Sequence, residues 1–102
     1  NWKMITQTKT KIQHYLDLKM HDRLKFIKGN NLELVLDVDN IKDEGVIIYT
    51  KDSYGTQRHF LKPHCTKYLG SGINIYSHGK KNGNRVHVHI EMERGYEFQR
   101  QW

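Results

Sequence analysis

The clearest pattern in this chain is the alternation of apolar and polar residues from Arg85 to Glu93. Valine, isoleucine or methionine occupies every second position, and the positions between them carry arginine, histidine or glutamate. A period of two is typical of a β-strand, in which successive side chains point to opposite faces of the sheet. The pattern therefore predicts a strand with one face in the core and the other lined by titratable groups.

Two further stretches predict β-hairpins. Residues 32–38 alternate strongly and follow a turn-forming Gly-Asn-Asn sequence, so residues 24–28 are the predicted partner strand. Residues 46–50 are rich in β-branched side chains, and residues 57–61 return after a Ser-Tyr-Gly turn. Pro63 is expected to end the returning strand, because proline cannot donate a hydrogen bond to the ladder.

Residues 73–76 precede a glycine-rich basic loop that leads into the strand at Arg85, which predicts a third hairpin. Directly opposed residues of an antiparallel pair share a face, so the isoleucines of residues 73–76 must oppose the valines and isoleucine of the partner. Asn74 and Tyr76 then lie beside His87 and His89. Lys80 and Lys81 are expected at the tip of the hairpin.

The N-terminal residues 2–20 fit either a helix or a long strand, with the helix favoured in the first part. A chain of 102 residues is long enough for one modest core, so residues 1–102 are expected to form a single domain. The predicted fold class is α+β and β-rich. It would be an antiparallel sheet or small barrel of about five to seven strands with one N-terminal helix.

The chain carries 17 basic and 11 acidic side chains, for a formal net charge of +6. Two basic blocks, residues 1–30 and 51–85, flank an acidic block at residues 31–50. Basic surfaces attract phosphate backbones by releasing counterions, so this charge favours binding of RNA or DNA. The alternative is that excess lysine only keeps a small protein in solution. The residues predicted to bind nucleic acid are Tyr76, Lys80, Lys81, Arg85, Arg58, Lys62 and Lys67.

Seven histidines in the chain suggest acid–base chemistry. His87 and His89 lie on one strand face, where imidazoles act as general base and general acid near neutral pH. With Arg85 to hold phosphate and Tyr76 to orient the substrate, this pair predicts a toxin-like endoribonuclease that uses no metal and no cofactor. An alternative set with the same residue types is His59, His64 and Arg58.

Two local spacings leave a metal site as a further alternative. His87, His89 and Glu93 resemble part of the metal motif of the cupin family over seven residues. The apolar residue between the two histidines also resembles the HUH motif of rolling-circle replication nucleases, which implies a metal and a tyrosine nucleophile. Tyr15 and Tyr96 are the candidates for that nucleophile.

A third class of function is a small inhibitor that occludes a nucleic-acid-processing enzyme, with the separated acidic and basic blocks steering it to a protein partner. Homodimerisation through an edge strand belongs to the same class. No apolar run approaches the roughly 20 residues of a membrane-spanning helix. Cys65, the single cysteine, excludes an internal disulfide and is expected to be buried. We therefore expect a cytoplasmic, intracellular protein without membrane contact.

Overall fold

The computed structural model describes residues 11–101, and this part of the chain forms β-strands joined by short turns, with no helix. The described strands are β1 (Lys11–Lys19), β2 (Arg23–Lys28), β3 (Asn31–Ile41), β4 (Val46–Asp52), β5 (Gly55–Leu61), β6 (Thr66–Gly70), β7 (Ile73–Lys81), β8 (Arg85–Glu93) and β9 (Tyr96–Gln101). The β-rich prediction is confirmed, whereas α+β is wrong. The described residues therefore include no helix that could span a membrane.

The strands form two antiparallel sheets. The four-stranded sheet has the order β1-β8-β7-β6, and the five-stranded sheet has the order β5-β4-β3-β2-β9. All three predicted hairpins are confirmed, as β2–β3, β4–β5 and β7–β8. The expectation of about five to seven strands is wrong, because β6 and β9 were not predicted and β1 was predicted only as the alternative to a helix. The sheets also do not close into a barrel.

The inner faces of the two sheets share one hydrophobic core. Every apolar side chain on the inner face of β8, from Val86 to Met92, has 0% of its surface exposed. From the five-stranded sheet, Phe26 is a buried member of this core, and Phe98 packs against the core while remaining partly exposed. Tyr96 is also buried, so these C-terminal aromatic residues complete the core, while Trp102 lies outside the described residues. Burial of this apolar surface is the main favourable contribution to folding.

Of the two alternatives predicted for residues 2–20, the long strand is confirmed for residues 11–19, which form β1, and the helix is wrong there. The inner face of β1 presents Ile12, His14, Leu16 and Leu18 to the other sheet. The His14 ring meets Phe98 edge-on, with ring centroids 5.0 Å apart, which allows a histidine to occupy an inward position. The remainder of the predicted helix, residues 2–10, lies outside the described residues.

A buried ion pair lies where the chain passes from β1 in one sheet to β2 in the other. Asp22 is only 2% exposed, and its carboxylate accepts hydrogen bonds from the backbone N–H of Lys19 at 2.9 Å and from Nη2 of Arg100 at 2.8 Å. Arg100 also donates to the backbone carbonyl of Asp17. The pair therefore ties the end of β1 to β9, the last strand of the opposite sheet.

Replacing Asp22 by alanine is expected to lower the free energy of unfolding by about 3 kcal/mol, because it leaves the Arg100 charge partly buried without its carboxylate. Chemical denaturation followed by circular dichroism measures the change. Asp39→Ala is the matched control, because Asp39 is exposed and its loss should cost less than about 0.5 kcal/mol. Equal losses in the two variants would contradict a structural role for the ion pair.

Candidate functional site

The outer face of the four-stranded sheet carries a cluster of aromatic and histidine rings. We call it the ring cluster, and its members are Tyr15, Tyr76, His78, His87 and His89. No described segment packs over this face, and the side chain of Tyr15 is 61% exposed. The cluster therefore forms an open surface rather than part of the core.

Strand register brings the ring cluster together. β8 pairs with β1 on one side and with β7 on the other, so His89 lies directly between Tyr15 and Tyr76. The predicted neighbourhood of Tyr76 and His89 is thus confirmed. Their rings are stacked, with centroids 4.9 Å apart and planes 20° apart, and the Tyr15 ring lies 5.1 Å from His89. These contacts make one continuous strip of rings across three strands.

A carboxylate holds one of the histidines. Asp17 is opposite His87 in the β1–β8 pair, and its Oδ1 lies 2.7 Å from Nδ1 of His87. This hydrogen bond, together with the positive charges of Lys81 and Arg85, lowers the pKa of the Asp17 carboxyl, although partial burial opposes the shift. Because Nδ1 donates to Asp17, the Nε2 atom of His87 is left to accept a proton. Sequence reasoning missed Asp17, although the polar residues of β1 alternate as those of β8 do.

A β-bulge brings His78 into the ring cluster. Ser77 pairs with Val88 and Lys80 pairs with Val86, so His78 and Gly79 together oppose the single residue His87. Gly79 has a φ of 99°, a conformation that glycine adopts without strain. Nε2 of His78 lies 3.0 Å from Nδ1 of His89. Loss of water against the neighbouring rings, with the charges of three nearby histidines, lowers the pKa of His78.

Three cations lie in one row at the end of the same face. Arg85 is directly opposed by Lys19 on β1 and by Lys81 on β7. Like charges placed opposite one another across strands destabilise a sheet unless an anion balances them. Asp17 supplies part of that charge, since its Oδ2 lies 4.0 Å from Nζ of Lys81. We call this set the cation row; it can hold a phosphate group next to His87.

The other predicted nucleic-acid-binding residues lie elsewhere. The bulge turns Lys80 to the opposite side of the hairpin, where its Nζ lies 3.2 Å from the Asp43 carboxylate. Arg58 lies on the outer face of the five-stranded sheet, Lys62 in the β5–β6 connection, and Lys67 on the inward side of β6. Of the seven residues predicted to bind nucleic acid, only Tyr76, Lys81 and Arg85 lie on the outer face of the four-stranded sheet. A binding role for each of these residues stays a prediction.

The alternative histidine set is not assembled into a site. His59 faces the core, where Thr50 Oγ1 lies 2.8 Å from its Nε2, whereas Arg58 points outward. Burial, with the positive charge of Lys67, lowers the pKa of His59. His64 precedes β6 and contributes positive charge near His78. Cys65 is exposed, so the expected buried thiol is wrong, because the β5–β6 connection lies at the surface.

The metal alternative gains no support from the described residues, in which no group of three histidine, cysteine or carboxylate side chains is arranged to hold a metal ion. Of the two tyrosines that the HUH resemblance implies, Tyr15 belongs to the ring cluster and Tyr96 is buried. Comparison with protein-family models, curated proteins and solved structures gave no match to this chain. Its function must therefore be argued from the site itself.

Removing the His87 imidazole is expected to raise the pKa of the Asp17 carboxyl toward its ordinary value of 3.8, because the hydrogen bond to His87 is the largest cause of its lowering. A carboxyl with a lowered folded-state pKa stabilises the fold above its unfolded pKa, and this contribution is lost as the pH falls through the folded value. The stability difference between wild type and His87→Ala should therefore shrink below about pH 4.

Carbon-detected NMR titration of the Asp17 carboxyl measures this shift. His89→Ala is the matched control, since it removes a neighbouring imidazole that does not contact Asp17. An Asp17 pKa that is the same in His87→Ala and in wild type would show that the hydrogen bond is absent in solution.

Proposed function

We propose that this chain binds single-stranded RNA on the outer face of its four-stranded sheet. The observation that carries the proposal is the ring cluster, which is exposed at Tyr15 and half-buried at Tyr76 and His89, and in which the two tyrosines flank His89 across three adjacent strands. Base stacking on such rings contributes about 1–3 kcal/mol per base and needs no particular sequence. Only unpaired bases can reach these rings, so a single strand is the fitting ligand.

The charge of the face supports the same ligand. The cation row lies at one end of the ring cluster, so a strand whose bases stack on the rings can place its phosphates beside Arg85 and Lys81. Asp17 lies on the same face beside the cation row, and its carboxylate accepts hydrogen bonds. RNA offers it the 2′-hydroxyl as a donor, which DNA lacks. This carboxylate favours RNA over DNA of the same sequence.

Tyr15→Ala and Tyr76→Ala are each expected to weaken binding of a labelled oligouridine by roughly 5- to 150-fold, the loss of one stacked base. Fluorescence anisotropy titration gives the affinity. The control is Tyr54→Ala. Tyr54 is 96% exposed in the β4–β5 turn, which belongs to the five-stranded sheet and not to the sheet that carries the ring cluster.

The salt dependence of the same titrations provides a second readout. If each of the three cations neutralises one phosphate, the logarithm of affinity should fall with the logarithm of salt with a slope of about −2. Equal binding by wild type and both tyrosine variants would remove the ring cluster from the interface. If Tyr54→Ala weakened binding as much as Tyr15→Ala and Tyr76→Ala do, the RNA would bind at another surface.

One specific observation favours a second candidate function, which is metal-independent cleavage of the bound RNA. The Asp17–His87 hydrogen bond orients an imidazole beside the cation row, as a general base for phosphate chemistry requires. His89 lies on the same face, with its Nδ1 held by His78. The face thus carries two imidazoles and a phosphate-binding group, the parts that cleavage through the 2′-hydroxyl needs.

In this reaction Nε2 of His87 removes the proton from the 2′-hydroxyl, and the 2′-oxygen attacks the adjacent phosphorus. The bond from phosphorus to the 5′-oxygen breaks, and the leaving oxygen takes a proton from protonated His89. The products are a 2′,3′-cyclic phosphate and a 5′-hydroxyl end. Arg85 and Lys81 would stabilise the extra negative charge that develops on the phosphate oxygens.

His87→Ala is expected to lower the cleavage rate of a labelled RNA by at least about 100-fold, because it removes the general base. Asp17→Asn should cause a smaller loss. His21→Asn is the control, since His21 is exposed in the β1–β2 turn at a φ of 70° that asparagine tolerates. Gel analysis of the products should show the cyclic phosphate, and a chelator should not change the rate. An unchanged rate in His87→Ala would contradict this second candidate.

A further inference from the structure

A shallow pocket adjoins the ring cluster at the end of the face away from the cation row. It has a volume of about 300 Å³, at the lower end of the range for small-molecule sites. Its lining residues are Thr66, Asn74, Tyr76, His89 and Glu91. All five belong to the outward rows of β6, β7 and β8, so strand pairing fixes their positions.

The pocket combines a stacking surface with hydrogen-bonding groups. The stacked rings of Tyr76 and His89 form one side. Asn74 and Glu91 are directly opposed in the β7–β8 pair and lie one outward row beyond those rings. An amide supplies both donors and an acceptor, whereas an ionised carboxylate only accepts. A flat ligand that stacks on the rings therefore meets an acceptor and a donor at its edge.

The carboxylate of Glu91 indicates which part of an RNA strand the pocket contacts. On a face that binds a polyanion it would repel phosphates, so its place in the pocket fits contact with a base rather than with the backbone. Its contacts within the described chain are long, with Gln13 Nε2 at 3.5 Å from Oε2 and Lys11 Nζ at 3.8 Å from Oε1. Both contacts come from β1, one to each carboxylate oxygen, and a ligand with two adjacent N–H donors would replace both of them.

We infer that this pocket selects guanine, an inference that rests on the RNA binding proposed above. Guanine presents two neighbouring donors on its Watson–Crick edge, the N1–H and the 2-amino group, which match the two oxygens of the Glu91 carboxylate. Its 6-oxo group accepts a hydrogen bond, which the Asn74 amide can donate. The ring stacks on Tyr76, whose orientation is fixed by its contact with His89.

The other bases match this edge less well. Adenine and cytosine each carry an amino donor beside an unprotonated ring nitrogen, which would face a carboxylate oxygen without a proton between them. Uracil has one ring N–H between two carbonyl oxygens. Leaving a polar group unpaired at the edge of a base is what gives such sites their discrimination. Guanine alone satisfies both oxygens of Glu91.

The test compares labelled RNA pentamers that differ only in the central base: UUGUU, UUIUU, UUAUU and UUUUU, where I is inosine. Wild type is expected to bind UUGUU about tenfold more tightly than UUAUU, the size of one good bidentate contact. Inosine lacks the 2-amino group and should be intermediate. In Glu91→Gln the preference for guanine should disappear while the affinity for UUUUU is retained.

Glu93→Gln is the matched control, because it removes the same charge two residues further along β8 and outside the pocket. It should keep the preference for guanine. Tight binding of all four pentamers by wild type, with no preference, would overturn the guanine pocket and leave RNA binding standing. Binding of none of them would contradict the proposed function itself. A Glu91→Gln effect equal for every pentamer would reduce Glu91 to a general electrostatic role.

Discussion

Complete burial of the apolar face of β8 holds the four-stranded sheet in one register. The side chains from Val86 to Met92 that face the core have no exposed surface, and the period of a strand forces the residues between them outward. A slip of one residue against either neighbour would move the polar row into the core and the apolar row into water. The positions of His87 and His89 are therefore a consequence of core packing, and a site on this face has a rigid base.

This constraint explains how far sequence reasoning could go. The β7–β8 hairpin and the contact between Tyr76 and His89 followed from alternation and from the rule that opposed residues share a face. The contact between His87 and Asp17 could not be predicted in this way. Asp17 is 70 residues away in the sequence, and no local pattern shows that β1 pairs with β8. Within β1, the inward His14 interrupts the apolar alternation. Ile12, Leu16 and Met20 are then spaced four residues apart, which also fits a helix.

The β-bulge at His78 and Gly79 is the second feature that the sequence could not reveal. Without it, strand alternation would put Lys80 on the outer face and Lys81 on the inner side; the extra residue exchanges them. Lys81 then joins Arg85 and Lys19, while Lys80 reaches Asp43. Glycines are common in this chain and the basic loop after residue 77 holds two of them, so Gly79 does not by itself indicate a bulge. The same irregularity adds a third histidine to the ring cluster.

The outer face is ordered along the strands. The cation row, with Asp17 beside it, occupies one end, the rings occupy the middle, and Asn74 and Glu91 occupy the other end, where Lys11 approaches Glu91. Acidic and basic side chains are therefore neighbours at both ends, and the strip of rings between them is what distinguishes this face from a merely solvated surface. A nucleotide strand has the matching arrangement of phosphate, stacking base and hydrogen-bonding base edge. An anion that binds the folded sheet at the cation row stabilises the fold by mass action, so RNA of the proposed kind is expected to raise the free energy of unfolding.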